Sequence, residues 1–115
     1  AAKKHIPVVA LITGGGSAVQ DGISALMQMA KTTFAFNQLK EKQVPLIVLM
    51  SHPTTGQIYS SFANLADIIL AEPGAIIGMA PPSSAFSMGS SANGYTAETQ
   101  FIHGMIDRVV DRQYL

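Results

Sequence analysis

Two glycine-containing segments could offer backbone amides to a ligand. Residues 14–16 are three glycines that follow the apolar run 7–13, and residues 54–57 read Thr-Thr-Gly-Gln after the apolar run 45–50. If each run is a strand and a helix follows it, N–H groups and a helix dipole meet there and favour an anion or a developing oxyanion. Each segment alone is also typical of a turn needed only for packing, but two such junctions in one sheet favour a binding site. The candidate oxyanion donors are the amides of Gly16, Ser17, Gly56 and Gln57, and the candidate binding residues are Gly15, Gly16, Thr55 and Gly56.

The chain lacks the motifs of other common chemistries. The glycine run does not end in Gly-Lys-Ser/Thr, and it lacks Gly-x-Gly-x-x-Gly with a matching acid further on. There is no Gly-x-Ser-x-Gly elbow, and the lack of Cys excludes disulfides, thiol nucleophiles and Cys-ligated zinc. His5, His52 and His103 are scattered, so we expect no metal site. His52 is either a solvated loop residue or faces a pocket at the end of its strand.

Hydrophobic patterning predicts the elements that carry the two junctions. Residues 7–13 are typical of a strand buried on both faces, and residues 45–50 repeat the strand pattern. Ser17 and Gln20 form a capping box for a helix that runs to about Lys42. This helix has an apolar face that we expect to point at the core, made of Val19, Ile23, Leu26, Met27, Ala30 and Phe34.

The rest of the chain continues the alternation of strands and helices. Residues 51–53 are expected to be a loop, and Thr54 and Gln57 have capping spacing for a shorter helix with Ile58, Phe62 and Leu65 on its apolar face. The later predicted elements are strands at 67–71 and 75–78, a loop at 79–94, a helix at 96–103 and a strand or extended arm at 105–110. This order predicts a single α/β domain over residues 1–115, with a mostly parallel sheet and crossover helices.

Composition narrows the possible partners. Apolar residues make up 48% of the 115 residues and charged residues only 12%, about half the share of an ordinary soluble domain. We therefore expect part of the surface to be buried against another chain or segment. Seven basic and seven acidic residues balance, so nothing favours nucleic acid or an anionic membrane. No apolar run is long enough to span a bilayer and the first residues do not resemble a signal peptide, so the expected location is intracellular.

Several motifs, in order along the chain, resemble one known family. The most specific is LMQMAKT at residues 26–32, and the others cover nearly all of the chain from Pro7 onward. They are Gln20-Asp21-Gly22, Pro53-Thr54-Thr55-Gly56, Ser61-Phe62-Ala63, Ala71-Glu72-Pro73-Gly74-Ala75, Ile77-Gly78 and the run 103–107, His-Gly-Met-Ile-Asp. Together they resemble the carboxyltransferase β subunit of multi-subunit acetyl-CoA carboxylase, in the later half of its carboxyltransferase domain.

The resemblance implies a fold and an activity. The implied fold is a partial crotonase-type β-β-α superhelix without the family's zinc ribbon. The implied activity is transfer of a carboxyl group from carboxybiotin to acetyl-CoA, which gives malonyl-CoA for fatty-acid synthesis, with the amides at Gly16-Ser17 and Gly56-Gln57 holding the thioester enolate. The implied partners are an α-type subunit and the biotin carboxyl carrier protein, in an oligomer without a covalently bound cofactor, in the cytoplasm or the plastid stroma.

Four departures from the family pattern leave a second interpretation open. The family usually has Arg at Ala18, Asp at His52 and a second Gly at Gln57, and its Gly-Pro-Arg is replaced by Pro81-Pro82-Ser83. The Gln57 side chain could crowd the approaching carbonyl, and lost arginines could weaken binding of CoA phosphates or of the α subunit. The alternative is a non-catalytic paralogue that serves as an assembly or regulatory subunit. A stand-alone hydratase or thioesterase is less favoured, because no carboxylate stands at either junction.

Overall fold

The computed structural model describes residues 1–16, 19–79 and 92–115. Within these ranges the strands are β1 (Val8–Gly14), β2 (Leu46–Thr55), β3 (Ile68–Ala71), β4 (Ile77–Gly78) and β5 (Arg108–Val109), and the α-helices are α1 (Gly22–Glu41), α2 (Gln57–Ser60) and α3 (Ala97–Ile102). Short 3-10 turns lie at Ala2–Lys4, Val19–Asp21, Ala63–Leu65, Ala92–Tyr95 and Arg112–Tyr114. The predicted α/β order of elements is confirmed. None of the described helices is both long and apolar enough to cross a membrane.

The described strands form one sheet in the order β1-β2-β3-β5, with β4 beside the end of β2, and all four pairings are parallel. Along the path β1-β2-β3-β5 the chain moves in one direction across the sheet, and only β4 returns to pair with β2. Because crossovers between parallel strands are right-handed, successive connections then lie on the same face. The predicted parallel sheet with crossover helices is confirmed, and the helices all cover one side of it.

The core lies between that side of the sheet and the helices. Val48 and Met50 of β2 are fully buried, and Leu39 of α1 and Tyr59 of α2 belong to the same buried cluster. Phe36 of α1 stacks on Phe62 with 5.0 Å between the ring centroids, which fixes α1 over the segment after α2. Burial of these side chains supplies the main stabilisation of the fold, because each removes apolar area from water.

The prediction that residues 7–13 are buried on both faces is wrong. Val9 and Leu11 of β1 are 72% and 70% exposed, whereas Ile12 belongs to the core. Successive side chains of a strand point to opposite faces, and the helices cover only one of them. The side chains of Val9 and Leu11 therefore lie on the uncovered face.

The predicted core face of α1 is also wrong. Ile23 and Phe34 are 75% and 65% exposed, and Leu26, Met27 and Ala30 are exposed as well. The helix instead turns to the protein a face that carries the buried Leu39 and, among the half-buried residues, Ala25, Met29, Thr32 and Phe36. Since α1 has apolar residues on both sides, periodicity alone does not identify the inner one. The side chain of Val19, the remaining residue of the predicted face, is not among the described side chains.

The loop predicted at 51–53 is wrong, because β2 continues through it to Thr55. The first half of β2 pairs with β3, and its second half pairs with β4. Thr54 lies opposite Ile77 and Thr55 opposite Gly78. The helix predicted to begin at Thr54 therefore begins at Gln57, with Gly56 in the N-cap position. It is a single turn of four residues, although Ile58 and Phe62 do pack against the core as expected.

The remaining boundaries agree more closely with the predictions. α1 begins at Gly22, later than the capping box suggested, and Asp21 in its N-cap position makes no side-chain cap bond. The bond predicted for Ser17 lies outside the described residues, as do residues 80–91 of the loop predicted at 79–94. Residues 92–94 of that loop belong to the 3-10 turn Ala92–Tyr95. The helix predicted at 96–103 is α3, capped by the side chain of Thr96, which accepts from the N–H of Thr99. Only Arg108–Val109 of the predicted last strand pairs as β5.

Candidate active site

The structure brings the two glycine junctions into contact. A Cβ built on Gly56 would lie 3.6 Å from the carbonyl oxygen of Gly15 and 3.6 Å from the Cα of Gly16. A Cβ built on Gly16 would lie 3.8 Å from the backbone nitrogen of Gln57. The strands that lead to the junctions are neighbours, and Gly14 pairs with Thr54. Gly15 and Gly16 are exposed and Gly56 and Gln57 half-exposed, so a ligand can reach the place where they meet.

Glycine at position 56 is required by the backbone. Its φ of 63° and ψ of −134° lie in a region that residues with a Cβ seldom adopt. This conformation turns the chain out of β2 and directly into α2. The N–H of Gly56 donates to the carbonyl oxygen of Gly78 at 3.0 Å and so extends the pairing of β2 with β4. In this conformation the amide of Gly56 is therefore not directed at a ligand, and the donor role predicted for Gln57 stays a prediction.

Gln57 lines a groove of about 80 Å³ between α1 and the α2 segment. Ala25, Gln28, Met29 and Thr32 of α1 form one wall, and Ile58, Ser61 and Phe62 lie with Gln57 on the other. Because α2 is one turn long, its dipole adds far less than a full helix would. The chemistry predicted for this junction therefore depends on the orientation of individual amides. Ser17 and Ala18, from the first junction, lie outside the described residues.

The two threonines before Gly56 have different roles. The hydroxyl of Thr54 lies 2.7 Å from the carbonyl oxygen of Ser51 and 3.2 Å from that of Ile12, and so joins β2 to β1. The hydroxyl of Thr55 is fully buried and has no hydrogen-bond partner among the described residues. The side chain of Thr55 cannot touch a ligand in this conformation. Its predicted binding role is therefore restricted to its backbone.

We expect Thr54→Val and Thr55→Val, two changes of the same size, to have opposite effects on stability. The first should lower the free energy of unfolding by about 1–2 kcal/mol, since it removes a buried hydroxyl that donates. The second should leave it unchanged or raise it by up to about 1 kcal/mol, since it removes a buried hydroxyl without a partner. Urea denaturation of the two variants, followed by circular dichroism, measures both. An equal loss in Thr55→Val would show that its hydroxyl has a bound partner.

The side chain of His52 links β4 to β2 near the second junction. Its Nδ1 accepts from the backbone N–H of Ile76 at 3.1 Å, which ties the start of β4 to β2. The hydroxyl of Thr13 in turn lies 3.2 Å from the carbonyl oxygens of His52 and of Pro53. The family usually has Asp at position 52, and its carboxylate could accept the same N–H. The replacement of Asp by His52 therefore retains a hydrogen-bond acceptor for Ile76. The side chain of His52 thus acts as a structural acceptor for β4.

The carboxylate of Glu72 holds the same end of the sheet. Glu72 accepts from the hydroxyl of Ser51 at 2.7 Å and from two nitrogens of Arg112, Nε at 2.6 Å and Nη2 at 3.0 Å. The Arg112 guanidinium, followed by the Ser51 hydroxyl, lowers the pKa of the Glu72 carboxyl below its ordinary value. Glu72 therefore stays ionised and fastens the last turn of the chain to β2, just before the second junction.

Two further acidic side chains have structural partners. The carboxylate of Asp67 accepts from the N–H of Leu46 at 2.8 Å, and that of Asp107 accepts from the N–H of Ile69 at 2.7 Å. Both carboxylates therefore bind backbone donors near the start of a strand. Within the described ranges, no three His, Asp or Glu side chains are grouped to hold a metal ion.

Burial raises the pKa of the Tyr59 hydroxyl, and a hydrogen bond with the Asn64 side chain partly offsets this increase in pKa.

Comparison with known proteins decides the family. The family of carboxyl transferase domains matches residues 1–111. The chain belongs to this family. It is 40% identical over 122 residues to the "Acetyl-coenzyme A carboxylase carboxyl transferase subunit beta" of Caulobacter vibrioides (strain NA1000 / CB15N), a match that covers 100% of this chain. It is 42% identical over 113 residues to a protein of Natranaerobius thermophilus named for "subunits beta/alpha" together, covering 96% of this chain and 19% of that protein.

A solved carboxyltransferase shares the fold. The transcarboxylase 12S structure with methylmalonyl-coenzyme A bound superposes with a TM-score of 0.78 and 26% identity, over 96% of this chain and 22% of that one. The crotonase-type fold of this carboxyl transferase chain is thereby confirmed. The chain spans 38% of the length of the Caulobacter relative. The match therefore corresponds to one part of the Caulobacter subunit.

Proposed function

We propose that this chain is the part of a carboxyltransferase β-type subunit that holds the thioester carbonyl of acetyl-CoA. The assembled subunit would transfer the carboxyl group of carboxybiotin to the acetyl carbon, giving malonyl-CoA. Acetyl-CoA is then a dissociable substrate, and biotin arrives on a separate carrier protein. An α-type subunit would complete the site. The relative that joins β and α names in one chain supports such a partner.

One observation carries this proposal: the contact between the Gly15-Gly16 and Gly56-Gln57 junctions at an accessible edge of the sheet. Carboxylation of the acetyl methyl carbon passes through an enolate, in which negative charge collects on the thioester oxygen. Fixed N–H donors aimed at that oxygen stabilise the charge at no reorganisation cost during the reaction. The amide of Gln57 and the amides of the first junction are the proposed donors. Backbone amides suit this role because their positions are fixed by the strands.

A second candidate is an assembly or regulatory subunit without catalytic function. The observation that favours it is the bond from the Gly56 N–H to Gly78, which removes one of the predicted donors. The Ala18 and Gln57 departures from the family pattern favour the same alternative. Under this alternative the fold and its partner surface are retained, but acetyl-CoA is not bound.

Calorimetric titration with acetyl-CoA distinguishes the two candidates. The chain is titrated alone and then in complex with an α-type carboxyltransferase subunit. We expect saturable binding to the complex only, followed by malonyl-CoA formation when a carboxybiotin carrier is added. A stable complex that binds no acetyl-CoA would overturn the catalytic proposal and support the assembly subunit.

A further inference from the structure

The face of the sheet without helices carries a continuous aliphatic surface, here called the open-face patch. Strand register places its members in two rows across β1, β2 and β3: Val9, Ile47 and Ile68 in one, and Leu11, Leu49 and Leu70 in the other. Val9 and Leu11 are mostly exposed, Ile68 is 44% exposed, and the remaining three are half-buried. Arg108 of β5 pairs beside Leu70 and marks the border of the patch.

Such a surface is unusual for a face that meets water. Neighbouring strands lie about 4.8 Å apart and alternate residues of one strand about 7 Å apart, so the six side chains are direct neighbours on one surface. Single exposed aliphatic residues are common on proteins, but a contiguous patch marks an interaction site. Parallel sheets in particular occur almost only with both faces covered. The described residues supply a cover for one face alone.

The topology explains why this chain cannot cover the patch with its own crossovers. In folds with helices on both faces, the strand order reverses and the later crossovers pass to the other side. Here the order β1-β2-β3-β5 never reverses, so right-handed connections place α1, α2 and the segment before β5 on the same face. The described helices therefore provide no second layer for the open face.

We propose that the open-face patch packs against an aliphatic layer of carboxyltransferase polypeptide, the part that the relatives have beyond the matched segment. The Caulobacter subunit offers the length for such a layer, because the match covers only 38% of it. The chemistry of the patch selects this occupant: it is uncharged and built of branched aliphatic side chains, which pair with a similar apolar layer about 10 Å away. The proposal rests on family membership and topology and is independent of catalysis.

The test uses cysteine reactivity in a hybrid subunit, in which this 115-residue segment replaces the matching segment of the Caulobacter vibrioides subunit. This chain has no Cys, so Leu11→Cys reports on the patch and Glu41→Cys, at the exposed end of α1, is the matched control. Maleimide labelling at each position is read by peptide mass spectrometry. In the 115-residue chain alone, we expect both positions to react at similar rates.

In the hybrid subunit we expect labelling at position 11 to slow by about 100-fold or more, because it would require local opening, and labelling at position 41 to stay fast. Equal rates at both positions in the folded hybrid would overturn the proposal. Protection of position 11 in the isolated chain, together with a dimer by light scattering, would also overturn it in favour of a second copy. If the hybrid does not fold, the same measurement is made on the Caulobacter subunit with Cys at the residue aligned with Leu11, where the same outcomes apply.

Discussion

Replacing Gln57 with proline in the hybrid subunit should lower the rate of malonyl-CoA formation by about 100-fold, the usual effect of deleting one oxyanion donor. The change removes the N–H of residue 57 together with the Gln57 side chain, whose own contribution is measured by the control below. Gln57 is the first residue of α2, a position where proline is favoured because its fixed φ is helical. The bond that closes the helix runs from the N–H of Ser60 to the carbonyl of Gly56 and does not use the N–H of Gln57. Gly56 also has no Cβ for the proline ring to meet.

The matched control is Gln57→Gly, which removes the side chain and keeps the N–H. Its rate should equal or exceed that of the unchanged hybrid, because any crowding of the thioester by the side chain is relieved. Rates are measured with saturating acetyl-CoA, an α-type subunit and carboxybiotin on its carrier, and circular dichroism confirms that both variants fold. A proline variant that keeps most of its activity would show that the Gln57 amide is not a donor.

The order of elements could be predicted from sequence because it depends on local patterns. The apolar runs 7–13 and 45–50 and the helical spacing between them correspond to β1, β2 and α1. Their order implies a parallel β1–β2 pair, and strands that are adjacent and parallel bring their carboxyl ends together. The sequence therefore contains enough information to predict that the two glycine junctions lie close together.

The faces of these elements could not be predicted in the same way. α1 has apolar residues on both sides, and Ile23 and Phe34 follow helical spacing as well as Phe36 and Leu39 do. Which side is buried depends on how the crossover lies on the sheet, a property of the whole topology. The exposure of Leu11 has the same origin, since a buried strand and a strand with one open face can share an apolar sequence.

Long-range hydrogen bonds account for the other differences at the site. β2 continues past His52 because β4, more than 20 residues later, supplies a partner for Thr54 and Thr55. The bond from Gly56 to Gly78 has the same range, and Glu72 finds Arg112 across 40 residues. No local pattern indicates such pairs. The sequence thus locates the junction, and only the structure shows that the N–H of Gly56 is bonded to Gly78.

Replacing Gly56 with alanine should disturb both stability and activity. The isolated chain should lose about 1–3 kcal/mol of unfolding free energy, because alanine is strained at a φ of 63° and ψ of −134°. Space is not the obstacle, since the nearest atoms would lie 3.6 Å from the new Cβ. The strain is relieved most directly by changing ψ, which rotates the peptide that carries the N–H of Gln57. A misplaced donor of this kind should slow malonyl-CoA formation by the hybrid about 100-fold.

Gly104→Ala is the control that distinguishes backbone strain from misorientation of the Gln57 N–H. Gly104 also has a positive φ, 74°, with no atom within 4 Å of a built Cβ, and it lies after α3, away from both junctions. We expect a similar loss of stability in urea denaturation but an unchanged transfer rate. If Gly56→Ala lost stability while the hybrid kept full activity, the orientation of the 56–57 peptide would be irrelevant to the reaction. The amide of Gln57 would then have no catalytic role, and the glycine at position 56 would serve only the turn from β2 into α2.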